Sequence, residues 1–235
     1  MVATSRRTAD ALVLEVRSAL AAHADPERAA GQQRYMRSAM PFHGLTSPER
    51  RLVTRPVLAA HRLATREEWE ATVRRLWDEA THREERYTAI ELLRHHAYRE
   101  WCDSGLAPLL EHLIMTGAWW DVVDATTPVV GEILRAEPGF ASRLRAWSTS
   151  DDLWLRRASI IGQLDSKGRT DVELLQDCLD ANLGDREFFI RKAIGWALRQ
   201  HARVDPAWAR TYVATRRTRL SPLSVREALK HLGDA

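Results

Sequence analysis

Apolar side chains recur every three or four residues along most of the chain, the spacing that lines one face of an α-helix. The pattern is clear in residues 11–20, 69–77 and 90–93, while no run alternates apolar and polar positions as a strand does. In the first run the positions taken to form the apolar face are Ala11, Leu12, Leu14, Val16 and Leu20. The pattern therefore predicts an all-α protein.

Capping residues followed by proline mark three helix starts, at residues 25–27, 47–49 and 221–222. Asp25, Ser47 and Ser221 supply the side-chain oxygen that accepts a free backbone N–H, and proline suits the first helical position. Thr65 and Glu68 have the spacing of a capping box. With only 11 glycines and 9 prolines, we expect short loops and helices packed as consecutive antiparallel neighbours. No composition shift marks a linker, so we predict one domain over residues 1–235.

An internal repeat appears in the second half of the chain. Residues 154–158 and 189–193 both carry an aromatic residue, an aliphatic residue, two cations and an alanine, 35 residues apart. One similar step back places Trp120 at the aromatic position and Asp124 at the alanine position. This period is typical of stacked TPR and HEAT helix pairs, which form a solenoid with a concave face. The paired cations suggest a cationic groove, with a chance match among arginine-rich helices as the alternative.

The net charge of +3 is weak evidence for a polyanionic partner. All but three of the 35 basic residues are arginine, which suits phosphate binding but also follows from the codon usage of a GC-rich genome. The N-terminal apolar run is broken by Glu15 and Arg17. We therefore expect neither a signal peptide nor a membrane span, and predict a cytoplasmic protein.

Metal and cofactor chemistry finds little support in the sequence. Cys102 and Cys178 lie far apart without a ligand motif, which favours buried thiols in a reducing compartment. His95 and His96 are adjacent, so on one helix they are expected to point to different faces. No glycine-rich phosphate loop is present. We expect no metal and no cofactor.

The run 118–128, AWWDVVDATTP, places two tryptophans and two aspartates within a few helical turns. Trp120 and Asp124 are four residues apart and share one helix face, with Thr127 one turn further. Asp121 lies in the first turn, where a carboxylate favours the helix dipole. Asp124 lies deeper, and a partly buried carboxylate needs a cation. The spacing leaves two readings open: a structural pair with an arginine of the next helix, or a functional carboxylate. The packing face of this helix is expected to consist of Val122, Val123, Val129 and Val130.

Several runs together resemble the AlkD-type DNA glycosylases of the bacterial DNA alkylation repair family. They are residues 119–124 with Pro128, 152–158 and 187–199, and further residues 34–36, 42–50, 76–78 and 222–231. The runs follow one another in the family's order over nearly the whole chain. One departure is Thr46, where some relatives carry glutamine.

The resemblance implies a HEAT-like α-solenoid that holds duplex DNA on a concave basic face. It also implies a monomeric enzyme that excises cationic N3- or N7-alkylated purines, without a cofactor and with the lesion still in the stack. The positions matching the family's catalytic residues are Trp120, Asp124 and Trp196. Those expected to contact DNA are Tyr35, Arg157, Lys192 and Arg199. A scaffold for a protein partner and a catalytically silent DNA binder are the alternatives.

Overall fold

The computed structural model describes residues 2–232, with side chains from residue 8 onward. The ends of the predicted single domain, residue 1 and residues 233–235, lie outside this range. The described residues form helices and no strand, which confirms the all-α prediction. None of these helices has the length and apolarity needed to cross a bilayer. The chain divides into two compact units between Trp101 and Cys102.

Within its described residues, 2–101, the first unit forms five α-helices. They are α1 (Val2–Ala22), α2 (Pro26–Met36), α3 (Ser47–Ala60), α4 (Arg66–Asp78) and α5 (Arg83–Leu93), followed by a 3₁₀ segment, His96–Trp101. Helix α1 packs on α3 and α4, and α4 packs on α5. The predicted apolar face of α1 is buried at Leu12, Val16 and Leu20, but Leu14 is exposed and Val13 is buried instead.

The second unit, described over residues 102–232, forms eight α-helices and three short 3₁₀ turns in that range. The α-helices are α6 (Ala107–Gly117), α7 (Trp120–Ala136), α8 (Ala141–Ser148), α9 (Leu153–Ile161), α10 (Val172–Asp180), α11 (Phe188–His201), α12 (Pro206–Thr215) and α13 (Pro222–Leu229). The 3₁₀ turns are Ser104–Leu106, Pro138–Phe140 and Lys167–Arg169. Buried Cys178 of α10 fits its predicted role as a core thiol, whereas Cys102 is partly exposed.

Alternate helices of the second unit lie side by side. Helix α9 packs on both α7 and α11, and α11 packs mainly on α9 and α13 rather than on its chain neighbours α10 and α12. The expectation of consecutive neighbours is therefore wrong for α11. Each repeat contributes one helix to the layer formed by α7, α9, α11 and α13, so the helices of that layer are one repeat apart in sequence.

The predicted starts of α2 and α13 are confirmed by their capping bonds. For α3 the capping residue is Thr46, not Ser47, which is already the first helical residue. At α4 the Thr65 side chain accepts the Glu68 N–H at 3.2 Å. The Glu68 carboxylate accepts from the N–H of Ala64 instead of Thr65. The predicted capping box is thus only half formed.

A cluster of three aromatic rings, Trp119, Trp154 and Phe189, confirms the repeat and corrects its register. The Trp154 ring lies 6.0 Å from Trp119 and 5.1 Å from Phe189, measured between ring centroids. Successive members of this aromatic cluster are 35 residues apart. Trp119 therefore occupies the aromatic position, and the assignment of Trp120 to it is wrong. The two tryptophans have different surroundings, since Trp119 packs against the next repeats and Trp120 lies outside this aromatic cluster.

Candidate active site

Helix α7 begins at the paired tryptophans. Ala118 ends α6 in the left-handed region, with φ of 39°, and Trp119 is extended at the N-cap. Asp121 lies in the first turn, as predicted. The predicted packing face is confirmed, because Val122, Val123, Val129 and Val130 are buried. Trp120 and Asp124 keep partial exposure on the rest of the helix surface.

Thr127 and Pro128 fix the main chain at Asp124. Proline has no N–H, so Pro128 cannot donate the helical hydrogen bond to the Asp124 carbonyl. The Thr127 hydroxyl donates to that carbonyl at 3.0 Å. Thr127 is itself buried. The threonine thus satisfies the carbonyl that the proline leaves open, and α7 continues through it.

Asp124 and Arg157 form a two-bond ion pair between α7 and α9. Arg157 donates from Nε to Oδ1 and from Nη2 to Oδ2, each at 2.9 Å. Its Nη1 donates to the Phe189 carbonyl of α11 at 2.7 Å. The Arg157 residue is 5% exposed, and the Asp124 side chain is 19% exposed. One guanidinium therefore links three neighbouring helices, and the partly buried carboxylate has the cation it requires.

Burial raises the pKa of Asp124 to about 6. Arg157 acts in the opposite direction through its charge and hydrogen bonds, and the nearby Asp121 charge raises the pKa further. At neutral pH the carboxylate is mostly ionised but binds a proton more readily than an exposed aspartate does. These are properties of a general base or of a group that stabilises a developing cation. The same two-bond contact also fits a purely structural pair.

The two predicted site tryptophans are partly exposed. Trp120 lies one turn before Asp124 on α7, and Trp196 lies on α11 directly after Gly195. Among the ring and cation–π contacts of the described residues, neither indole takes part. Both indoles therefore keep part of their surface exposed and have no aromatic or cationic partner among the described residues.

The predicted DNA-binding residues lie in different surroundings. Tyr35 is 77% exposed near the end of α2, in the first unit. Lys192 and Arg199 both bind the carboxylate of Glu227, on α13. Glu227 lies within the matched run 222–231 but had no predicted role. Arg157 is bound to Asp124, as described above. In the free protein, three of these four residues thus have a carboxylate partner.

A cluster of possible metal ligands lies in the first unit. Ligand atoms of His43, His82 and Glu85 lie within 4.8 Å of one another. However, the two imidazoles are stacked at 3.7 Å and nearly parallel, so their in-plane lone pairs cannot meet at one ion. The predicted divergence of His95 and His96 is wrong, because their rings are also stacked, 4.5 Å apart. The chain leaves α5 before these two residues.

Comparisons with known proteins agree over most of the chain. A family described as "DNA alkylation repair enzyme" matches residues 16–232. A solved structure described as a predicted DNA alkylation repair enzyme from Enterococcus faecalis is similar, with 29% sequence identity and a TM-score of 0.82. The similarity covers 90% of this chain and 98% of that one. A comparison with curated proteins finds no match.

Proposed function

Because the chain belongs to the DNA alkylation repair enzyme family, we propose that it is a DNA glycosylase acting on alkylated purines in duplex DNA. Its substrates are purines made cationic by alkylation at N3 or N7. The bond hydrolysed is the N-glycosidic bond, and the products are a free base and an abasic site. The enzyme works in the cytoplasm, as a monomer, in base excision repair.

The charge of the lesion determines which groups the reaction needs. A water oxygen bonds to C1′ of the sugar while the C1′–N bond breaks. The electron pair of the broken bond stays on the base and neutralises its positive charge. The base leaves without being protonated, so no general acid is required. The sugar passes through an oxocarbenium-like state. A site with one carboxylate is sufficient for this chemistry.

Asp124 is the carboxylate that we assign to this reaction. Its negative charge stabilises the developing sugar cation, and its oxygens orient the attacking water and accept a proton from it. The observation that carries the proposal is that Arg157 holds this partly buried carboxylate by two hydrogen bonds, with its pKa raised to about 6. Such a group is fixed in place, ionised at neutral pH and able to take up a proton.

Trp120 and Trp196 are assigned to the cationic base. An indole face attracts a cation by about 0.5–2 kcal/mol, and both side chains are partly exposed. Stacking of this kind does not require a pocket that encloses the base. We therefore propose that the lesion reacts without being flipped out, which allows bulky adducts as well as methyl groups. Arg157 then serves in two ways, by orienting Asp124 and by attracting a phosphate beside the lesion.

The experiment is a panel of duplexes carrying one lesion each: 7-methylguanine, 3-methyladenine, a bulky N3-adenine adduct, or uracil as the uncharged control. Free base and alkali-labile abasic sites are measured, with spontaneous loss subtracted. We expect release of at least one cationic base and none of uracil. No release from any cationic lesion contradicts the proposal. In that case duplex affinity that depends on salt indicates a silent DNA binder, and its absence indicates a protein scaffold.

A further inference from the structure

Helices α11 and α13 meet at Gly195, where no side chain separates them. A Cβ at Gly195 would lie 2.5 Å from the Glu227 Cβ and 2.9 Å from the Ser224 carbonyl oxygen. Ser224 is fully buried, and its hydroxyl donates to the Arg191 carbonyl at 2.8 Å. Only glycine permits this approach. The position of α13 on α11 is therefore set by two features: the close approach at Gly195 of α11 and the hydrogen bond from Ser224 of α13.

This contact places Glu227 between two cations of α11. Lys192 lies three residues before Gly195 and Arg199 four residues after it, so both share its helix face. Lys192 Nζ donates to Glu227 Oε1 at 2.8 Å. Arg199 Nη1 donates to Glu227 Oε2, and also to the Glu227 carbonyl at 3.3 Å. One carboxylate thus accepts from both cations that the sequence predicts as DNA contacts on this helix.

The counter-charge is permanent under physiological conditions. Hydrogen bonds from Lys192 and Arg199 lower the pKa of Glu227 to about 2, so its carboxylate stays ionised. Only 16% of its side chain is exposed, against 39% for Lys192 and 21% for Arg199. Two positive charges and one negative charge are held together, and the set presents a single net positive charge.

We infer that Glu227 restrains sequence-independent binding of duplex DNA by holding Lys192 and Arg199 against α13. The inference rests on the proposed function in one respect, namely that these two cations face the bound duplex. A phosphate that binds either cation must compete with the Glu227 carboxylate, which already accepts hydrogen bonds from both. Each additional phosphate that is bound releases counterions. The plot of log affinity against log salt concentration then becomes steeper by about 0.9. Glu227 therefore sets how strongly undamaged DNA competes with a lesion.

The test is the affinity of Glu227→Gln for an undamaged duplex across a series of salt concentrations. We expect about tenfold tighter binding near 0.1 M salt and a plot of log affinity against log salt steeper by about one to two. The matched control is Glu173→Gln, which changes the net charge equally. Its side chain is 85% exposed and its ion pair with Arg145 is long, 3.9 Å. The control is expected to bind within about twofold of the unmodified protein.

Two further variants separate release of the cations from a general charge effect. A triple variant that combines Glu227→Gln with both Lys192→Gln and Arg199→Gln should lose the gain in affinity. Lys192→Gln alone should reduce the salt slope by less than about half a unit, since the ammonium is engaged with Glu227. This second measurement does not depend on whether Glu227→Gln folds. Thermal unfolding of every variant reports on folding separately.

Three results overturn the inference: no tighter binding by a folded Glu227→Gln, the same gain in Glu173→Gln, or a full unit of slope lost in Lys192→Gln. None of these measurements involves base excision. Failure of the unmodified protein to release any alkylated base therefore contradicts the proposed glycosylase while leaving the binding result to be judged by itself. Tighter binding by Glu227→Gln that needs both cations supports the inference in either case.

Discussion

Excision of 7-methylguanine should slow as the pH falls through about 6, because the proposed mechanism needs the ionised carboxylate of Asp124. Burial raises the pKa of Asp124 to about 6. At protein concentrations below the dissociation constant, the rate reports the ionisation of the free protein. With that pKa, about 97% of the carboxylate is ionised at pH 7.5 and about 9% at pH 5. The expected loss over this range is about tenfold.

Arg157→Ala should move this profile to higher pH. The substitution removes the charge and the hydrogen bonds that lower the pKa of Asp124, while burial and Asp121 continue to raise it. An opposite charge at this distance is worth about one to three pKa units, so the midpoint should rise to between about 7 and 9. The variant should therefore be slow at pH 7 and recover much of its rate at pH 9.

The assay is single-turnover release of the base from pH 5 to pH 9, corrected for spontaneous depurination at each pH. Arg156→Ala is the matched control, because Arg156 is the preceding residue of α9 and pairs with Asp185 at 3.1 Å rather than with Asp124. Its midpoint should stay near that of the unmodified protein. A flat profile in the unmodified protein, or an Arg157→Ala loss that is equal at every pH, refutes this reasoning.

Three other predictions concern packing and charge. Trp196→Phe should slow release of 7-methylguanine modestly, and Trp196→Leu should slow it further at a similar thermal midpoint, because the indole acts through its charge distribution rather than its volume. Losses of rate that track the thermal midpoint would place Trp196 in the core. Trp154→Ala should cost about 3–5 kcal/mol of unfolding free energy, because Trp154 is buried between two other rings, and denaturant unfolding measures it. The pKa of Glu227 is lowered to about 2, so its ion pairs stabilise the fold above pH 4.5 and lose that effect as the pH falls towards 2. The difference in unfolding free energy between the unmodified protein and Glu227→Gln should shrink over that pH range. A constant difference would contradict the assignment.

The helical fold could be predicted because it depends on local patterns. Apolar spacing and capping residues are read from a few consecutive positions, and of the four helix starts predicted from them, those of α2, α4 and α13 are confirmed. The register of the repeat could not be fixed in this way. Trp119 and Trp120 are adjacent, and only the contact of Trp119 with Trp154 and Phe189 shows which of them belongs to the aromatic cluster. Such a choice depends on packing between residues 35 positions apart.

Part of the candidate site could also be predicted from local sequence patterns. The depth of Asp124 within α7 predicted that it needs a cation, and the structure identifies Arg157 as that cation. The role of Glu227 was not predicted. It depends on the approach of α13 to Gly195, which brings together side chains at least 28 residues apart in sequence. A charged residue on a predicted helix gives no indication of such a partner.

The most direct test of the proposed mechanism compares Asp124→Asn with the unmodified protein on a duplex carrying 7-methylguanine. Asparagine keeps the size of the side chain and an oxygen that can accept from Arg157, but it removes the charge. Single-turnover release of the base should fall by about 100-fold or more, while affinity for the lesion duplex stays within several-fold and the thermal midpoint shows a folded protein. Release at the unmodified rate by a folded Asp124→Asn would contradict the account.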